Sequence, residues 1–424
     1  MNIFQKIYYG FSRYTDPAER RVGRFFGRVN EKDSATRIEK KLLGLLQNDI
    51  AVINLWTEHR YKGYNYLNKR TRRQLYSNLE KIHQDFSQFV GVNPVDPDGL
   101  IKRLAGNNVD TTQLRVQKDK LAYLMKIMRY LSPSQGRYEY RASSSFGRLL
   151  RDPAEEKMVG DCNQIVTLYL ALYAAKYDLS DLQLTLFPGH VALHFCGVDI
   201  ETTSGTFANY NKPDQTRVPV HEIVSVNLLD TTDTNFAKSV VNPEVFLQSA
   251  RLAYIVSSKR KVVKSNLDIA YNNLVSHLFT LKRYSQALAY AKQSQNYQLI
   301  EASARNGVAD SLRKKDFGSA RKFAAASQDK TKLMGEIDRH EAAHLYKTKQ
   351  YLAAAKMFER LKDKEWASHS YRGLYVQERS KLGQLKTASD IKANASTIRT
   401  MERYAKLSGD RQLQKHVSSL TKYL

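Results

Sequence analysis

The chain has 424 residues, 42% hydrophobic and 26% charged, with 9 prolines and 20 glycines, which excludes a disordered or fibrous chain and points to two or three mainly helical domains. Its two cysteines, Cys162 and Cys196, exclude a disulfide framework and a multi-cysteine zinc cluster. The net charge of +25 divides into basic flanks (27 Lys+Arg against 14 Asp+Glu in residues 1–150, 34 against 15 in 251–424) and an acidic centre (6 against 13 in 151–250), which excludes a middle that draws in a polyanion by its net charge.

The first residues lack an uninterrupted apolar stretch ahead of Arg13 and Asp16, so no secretory signal is expected and a cytoplasmic protein is. No run approaches the roughly 18 consecutive apolar residues of a membrane span, so no membrane insertion is expected either. Apolar residues at three- and four-residue spacing predict helices over Ala35–Trp56 and Thr71–Val90. Turn chemistry predicts a loop over Gly91–Gly99 and a softer boundary over Ser132–Gly136, closing an N-terminal helical region at 1–135. Within it Lys69, Arg70, Arg72 and Arg73 lie near Tyr61, Tyr64, Tyr66 and Tyr76, a combination that can hold phosphates by charge and bases by stacking. A basic helix face is more often solvated or packed on an acidic partner, so nucleic acid is the less favoured reading, here and for the weaker Lys259–Lys261 run.

The second region, 136–245, carries the chemistry. Cys162–Tyr177 is apolar on nearly every side, which predicts a buried helix entered through the Gly160-Asp161 turn. Leu182–Phe187 reads as a strand, Pro188-Gly189 as a turn and His190–Ile200 as one further strand, with Val191, Leu193 and Phe195 on one face. A polar loop is expected over Gly205–Arg217 and a further strand region over Val218–Leu229. Cys162 opens the helix, where the dipole favours the nucleophilic thiolate and the free N–H groups of the first turn can hold an oxyanion. A thiol nucleophile needs a base, for which His190 is suitably placed, and an acid to orient the imidazole, for which Asp199 and Glu201 both qualify. His190 and His194 have the spacing of a helical metal pair, but on a strand they stand about 13 Å apart, so no metal is expected. His194 and Cys196 are read as structural.

The third region, 246–424, repeats. Tyr284/Ala287, Phe317/Ala320 and Tyr351/Ala354 place an aromatic three residues before an alanine at intervals of 33 and 34 residues, with Ala291, Ala324 and Phe358 one turn on. That is the tetratricopeptide period, and it predicts helical hairpins with a weak fourth copy at Leu385–Ala388.

Gly160-Asp161-Cys162-Asn163-Gln164 ahead of an apolar helix, Pro188-Gly189-His190-Val191 leading a strand, and Val198–Thr203 after it resemble the transglutaminase-like (papain-like cysteine) superfamily, in the branch where tetratricopeptide repeats follow the core. The resemblance implies an α+β fold: a small papain/transglutaminase-like cysteine core flanked by an N-terminal helical region and a C-terminal tetratricopeptide-like helical array. It implies Cys162 as nucleophile, His190 as general base and acid and Glu201 as orienting carboxylate, with Asp199 in reserve because the family usually shows Asp-Pro where this chain has Glu201-Thr202. The implied activity is thiol-dependent acyl transfer or hydrolysis (protease, amidase or transglutaminase-like) without a cofactor, with a protein or peptide partner held by the repeats. The alternative is an inactive scaffold of the same fold that binds proteins through the repeats.

Overall fold

The computed structural model describes residues 8–9, 11–143, 145–208, 210, 214–230 and 242–424. It is an α+β protein, mostly helical with two small sheets, and it separates into two compact units, Met1–Ala270 and Tyr271–Leu424.

The first unit begins with helices whose ends are written in the sequence. Asp16, Ser34, Asn68 and Asp96 cap Pro17–Phe26, Ala35–Tyr61, Lys69–Val92 and Pro97–Gly106, each side chain accepting a first-turn N–H. Pro17 and Pro97 follow their caps at the position where a missing N–H costs nothing. The two predicted helices therefore exist and run a few residues longer, shrinking the Gly91–Gly99 loop to the residues between Val92 and Pro97. Ala35–Tyr61 bends at Asp49 (φ −138°), whose carboxylate is 3.0 Å from Arg21, and its second half buries Ile50, Ile53, Leu55 and Trp56. That half packs on the helix Cys162–Ala174.

The basic cluster is folded inward more than the sequence suggests. Arg72 is buried and meets Glu19 at 2.6 Å, while its other guanidinium nitrogens donate to the Leu67 and Arg13 carbonyls at 2.7 and 3.2 Å. Lys69 donates to the Tyr9 and Ser12 carbonyls and Arg73 to Tyr9, so three of the four cations fasten the N-terminal segment. Glu19 also accepts from the Tyr76 hydroxyl (2.8 Å) and the Thr15 N–H (2.8 Å).

A two-stranded parallel sheet pairs β1 (Tyr138–Tyr140) with β2 (Met158–Gly160). A five-stranded antiparallel sheet has β3 (Gln183–Phe187), β4 (His190–Phe195), β5 (Val198–Glu201), β6 (Thr206–Ala208) and β7 (Thr216–Pro219) in the order β6-β5-β4-β3-β7. The single expected strand His190–Ile200 is thus two strands. Cys196 and Gly197 both take positive φ (45° and 91°), the backbone of a tight hairpin turn, and the alternation of apolar residues across it had hidden the break. The expected strand region Val218–Leu229 is also corrected: β7 ends at Pro219, a 3₁₀ turn follows over Val220–Glu222, and Ile223–Leu229 is a helix. Its β-branched residues suit a strand, but burial of Ile223, Val224 and Leu228 beside the long helices overrides that preference. In the expected polar loop over 205–217, residues 209 and 211–213 lie outside the described residues.

One apolar core runs from Tyr9 to Val263, drawing on the N-terminal helices, the Cys162 helix and the sheet. The division into units falls at Ala270, inside the helix Arg260–Thr280.

The second unit is helical: Tyr284–Ser294, Tyr297–Arg313, Phe317–Ala324, Lys330–Lys347, Tyr351–Arg360 and Lys364–Arg379 follow in turn, then Ala388–Ala393, Ala395–Ser408 and Arg411–Thr421. The 33- and 34-residue spacing reappears in the backbone. Lys282, Lys315 and Lys349, each two residues before the repeated aromatic, are left-handed (φ 55°, 59° and 60°). After each, the N–H of Arg283, Asp316 or Gln350 reaches back to the carbonyl of Leu278, Ser311 or Leu345 at 2.9 Å, a helix-ending Schellman motif. The alanines Ala287, Ala320 and Ala354 are fully buried. Close approach is taken furthest at Gly307, where an added Cβ would stand 2.4 Å from Phe323, and at Gly373, 2.7 Å from Tyr351.

Replacing Glu19 by Ala leaves the buried Arg72 guanidinium without its carboxylate. The expected loss is about 3–5 kcal/mol of unfolding free energy in a urea titration; Lys118→Ala, whose pair with Asp98 is exposed on both sides, is expected to cost under about 1 kcal/mol.

Candidate active site

Cys162 is placed by its own helix start. Asp161 is the N-cap of Cys162–Ala174: its carboxylate accepts the Asn163 N–H at 3.0 Å, and Gln164 Oε1 accepts the Asp161 N–H at 3.0 Å, completing a capping box. β2 delivers the chain to this point, and the Gly160 carbonyl accepts the Arg141 N–H and the Tyr138 hydroxyl, both at 2.9 Å. On the other side Asp230, after the helix Ile223–Leu229, accepts from Asn163 Nδ2 (2.9 Å) and Gln164 Nε2 (3.4 Å). The first turn is held from both sides, with Cys162 as its first helical residue and only 6% exposed.

This cap changes one expectation. The first-turn N–H groups of Asn163 and Gln164 point into the Asp161 carboxylate, which leaves the N–H of Cys162 itself as the first-turn donor for an oxyanion.

His190 begins β4 directly after Pro188-Gly189, where Gly189 takes φ 73° and lets β3 turn into β4. Its Nε2 lies 2.7 Å from Glu201 Oε2, and Cys162, whose Sγ donates to Asn163 Oδ1 at 4.0 Å, is near enough to act electrostatically on its ring. His190 and Glu201 are therefore brought into contact, with Cys162 a further neighbour of the imidazole. Phe187 stacks on the His190 ring at 6.0 Å.

Asp199, the reserve acid, is elsewhere. The β4–β5 register sets His194 opposite Asp199, and His194 Nδ1 meets Asp199 Oδ1 at 2.8 Å, where Thr185 Oγ1 also donates at 2.8 Å. Asp199 is fully buried and its pair is a second, internal one. Cys196 sits in the hairpin turn and takes no part in the site.

Tyr210 is the residue that sequence reasoning missed. Its hydroxyl donates to Glu201 Oε2 at 2.5 Å and its N–H to Asp199 Oδ2 at 3.1 Å, so one residue bridges both acids. Its ring lies edge-on to Phe187 at 4.8 Å. The only signal in the sequence was an aromatic in a polar stretch that also holds Phe207.

The electrostatics follow from these bonds. Burial pushes Glu201 up, but donation from His190, Thr203 and Tyr210 outweighs it and holds the carboxyl at about 2. Interaction with Cys162 and then with Glu201 raises His190 from 6.5 to about 10, against the opposing effect of burial. Burial, then the Asp230 charge, raise Asp161 to about 6, partly offset by its backbone donors.

No protein-family model matches the chain, and no curated protein matches it significantly. Among the described residues, no group of three His, Cys, Asp or Glu side chains is placed to hold a metal ion, and no helix is long and apolar enough to cross a membrane.

The pair has opposite pH signatures. Glu201, depressed from 4.5 to about 2, stabilises the fold fully above pH 4.5 and loses this as pH falls towards 2; His190, raised from 6.5 to about 10, stabilises fully below pH 6.5 and loses this as pH rises through 10. Both contributions are complete between 4.5 and 6.5. Tyr210→Phe removes one donor to Glu201 and so raises that carboxyl's native pKa. Stability above pH 4.5 is then expected to be lower than in the parent, and the acid-side loss smaller and complete at a higher pH. Urea midpoints recorded across that range check this; an unchanged acid limb would remove Tyr210 from the network.

Proposed function

We propose that the first unit is a thiol-dependent acyl transferase or hydrolase with a transglutaminase-like (papain-like) cysteine core. The observation that carries this reading is the His190–Glu201 pair at 2.7 Å, beside Cys162 at a capped helix N-terminus that acts on the same imidazole. In this reading Cys162 Sγ attacks an amide or ester carbonyl, forming the S–C bond while its proton resides on His190. The Cys162 N–H holds the oxyanion. His190 passes its proton to the departing amine or alcohol, the C–N or C–O bond breaks, and a thioester remains. Water or an incoming amine, deprotonated by His190, then releases the acyl group and returns the thiol. Glu201 holds the imidazole in the tautomer and orientation these transfers need, and Tyr210 holds Glu201.

The second unit, with its tetratricopeptide-like period and repeated left-handed turns, is proposed to hold a protein or peptide partner. The other reading, a scaffold that has lost its chemistry, draws support from the burial of Cys162 and from the cap's use of two first-turn donors.

Alkylation by iodoacetamide separates the two, with Cys196→Ser removing the second thiol. The active reading expects Cys162 to react well below the ordinary thiol range near about 8.5, and His190→Ala to slow that reaction by about tenfold or more near neutrality. Glu201→Gln is expected to have a smaller effect of the same sign. If Cys162 is inert, or reacts equally in both proteins, the enzyme reading fails.

A further inference from the structure

We infer that a basic cleft in the first unit, away from Cys162, is a docking site for an acidic peptide segment bearing an apolar side chain. The cleft, of about 480 Å³, lies between the helix Pro17–Phe26 with its following turn and the start of Ala35–Tyr61. Arg24 and Arg28 line one wall and Arg37 and Lys41 the other, while Phe25, Val29, Ile38 and Leu45 supply apolar surface between them.

Among the described residues, three of the cleft's four cations are not used internally and converge on one apolar floor. Several basic side chains elsewhere in the unit are engaged: Arg72 on Glu19, Arg21 on Asp49, Lys120 on Asp181, Arg137 on Asp85, and Lys69 and Arg73 on backbone carbonyls. At the cleft, Asp33 lies 3.7 Å from Arg37, but among the described residues no carboxylate comes within ion-pair distance of Arg24, Arg28 or Lys41. Arg24 does complement the C-terminal dipole of its own helix, which explains one cation of the three and not their convergence. Three positive groups around an apolar, concave floor are complementary to carboxylates flanking one buried side chain. The concavity argues against a bilayer surface, which presents no side chain to insert. The volume is that of a pocket for a few residues.

The inference stands independently of the cysteine chemistry and is tested without it. The probe is a fluorescein-labelled hexapeptide of sequence Glu-Glu-Leu-Phe-Glu-Glu, titrated by anisotropy with the full chain and with its Cys162→Ala form. Binding is expected in both, weakening as salt rises, with none for the corresponding Lys-Lys-Leu-Phe-Lys-Lys peptide. The triple change Arg24→Gln, Arg28→Gln, Lys41→Gln is expected to weaken binding about tenfold or more. A second variant blocks the cleft sterically: an added Cβ at Gly44 has nothing within 4 Å, so Gly44→Phe projects a ring from the wall without touching a charge, and is expected to weaken binding as well. Absence of binding by the parent chain, or equal binding by both variants, overturns the inference. So does phosphatidylserine vesicle binding that is lost in the triple variant while the acidic peptide goes unbound, which would make the cleft a lipid site.

Discussion

The register of β4 against β5 governs the site. The two-residue turn at Cys196-Gly197 pairs Phe195 with Val198 and hence His194 with Asp199, which commits one histidine and one acid to each other inside the sheet. Only then does Glu201, two residues further, remain for His190. A slip of one residue would turn every side chain of β5 to the opposite face and leave both histidines without carboxylates. The turn is thus worth more to the site than its length suggests, and the cysteine in it serves backbone geometry.

Around that register the unit is tied together by buried polar bonds reaching far along the chain. Asn227 Nδ2 donates to Asn54 Oδ1 (2.6 Å) and Thr167 Oγ1 (3.0 Å), joining three helices. Glu58, on the long N-terminal helix, accepts from the backbone of Phe146 and Gly147 and from the Ser145 hydroxyl (2.9 Å), fixing the segment between β1 and β2. Interior polar bonds of this kind specify one arrangement among the many that an apolar core would accept, although among the described residues the buried Asn227 Oδ1 has no partner of its own. The N-terminal helices therefore form the wall on which the Cys162 helix is held.

Much of this was legible locally. Gly160-Asp161 marks a turn, an all-apolar stretch behind it marks a buried helix, and Pro188-Gly189 marks a turn between strands; these fix where Cys162 and His190 stand in their elements. The regular 33- and 34-residue interval likewise announced the helical second unit. What was hidden depends on partners distant in sequence. Nothing near Arg72 says that Glu19 will fold over it, and nothing near Tyr210 says that its hydroxyl will find Glu201. The choice between Asp199 and Glu201 was open for the same reason, since both lie on one face of β5 and only the turn's length decides which histidine each one meets. Ile223–Leu229 misled because β-branched residues state a preference that surroundings can overrule.

The repeated turns of the second unit bear on the chain's large positive charge. At Lys282, Lys315 and Lys349 a lysine adopts the left-handed conformation where glycine or asparagine is the usual occupant. Glycine would relieve the backbone, but it would carry no cation beside the carbonyls that end each helix. Part of the basic excess in residues 251–424 is therefore punctuation, a set of charges that mark where helices stop. Net charge overstates how much of this surface is addressed to a ligand, and the informative cations are those left over once every helix end and internal carboxylate has taken its own.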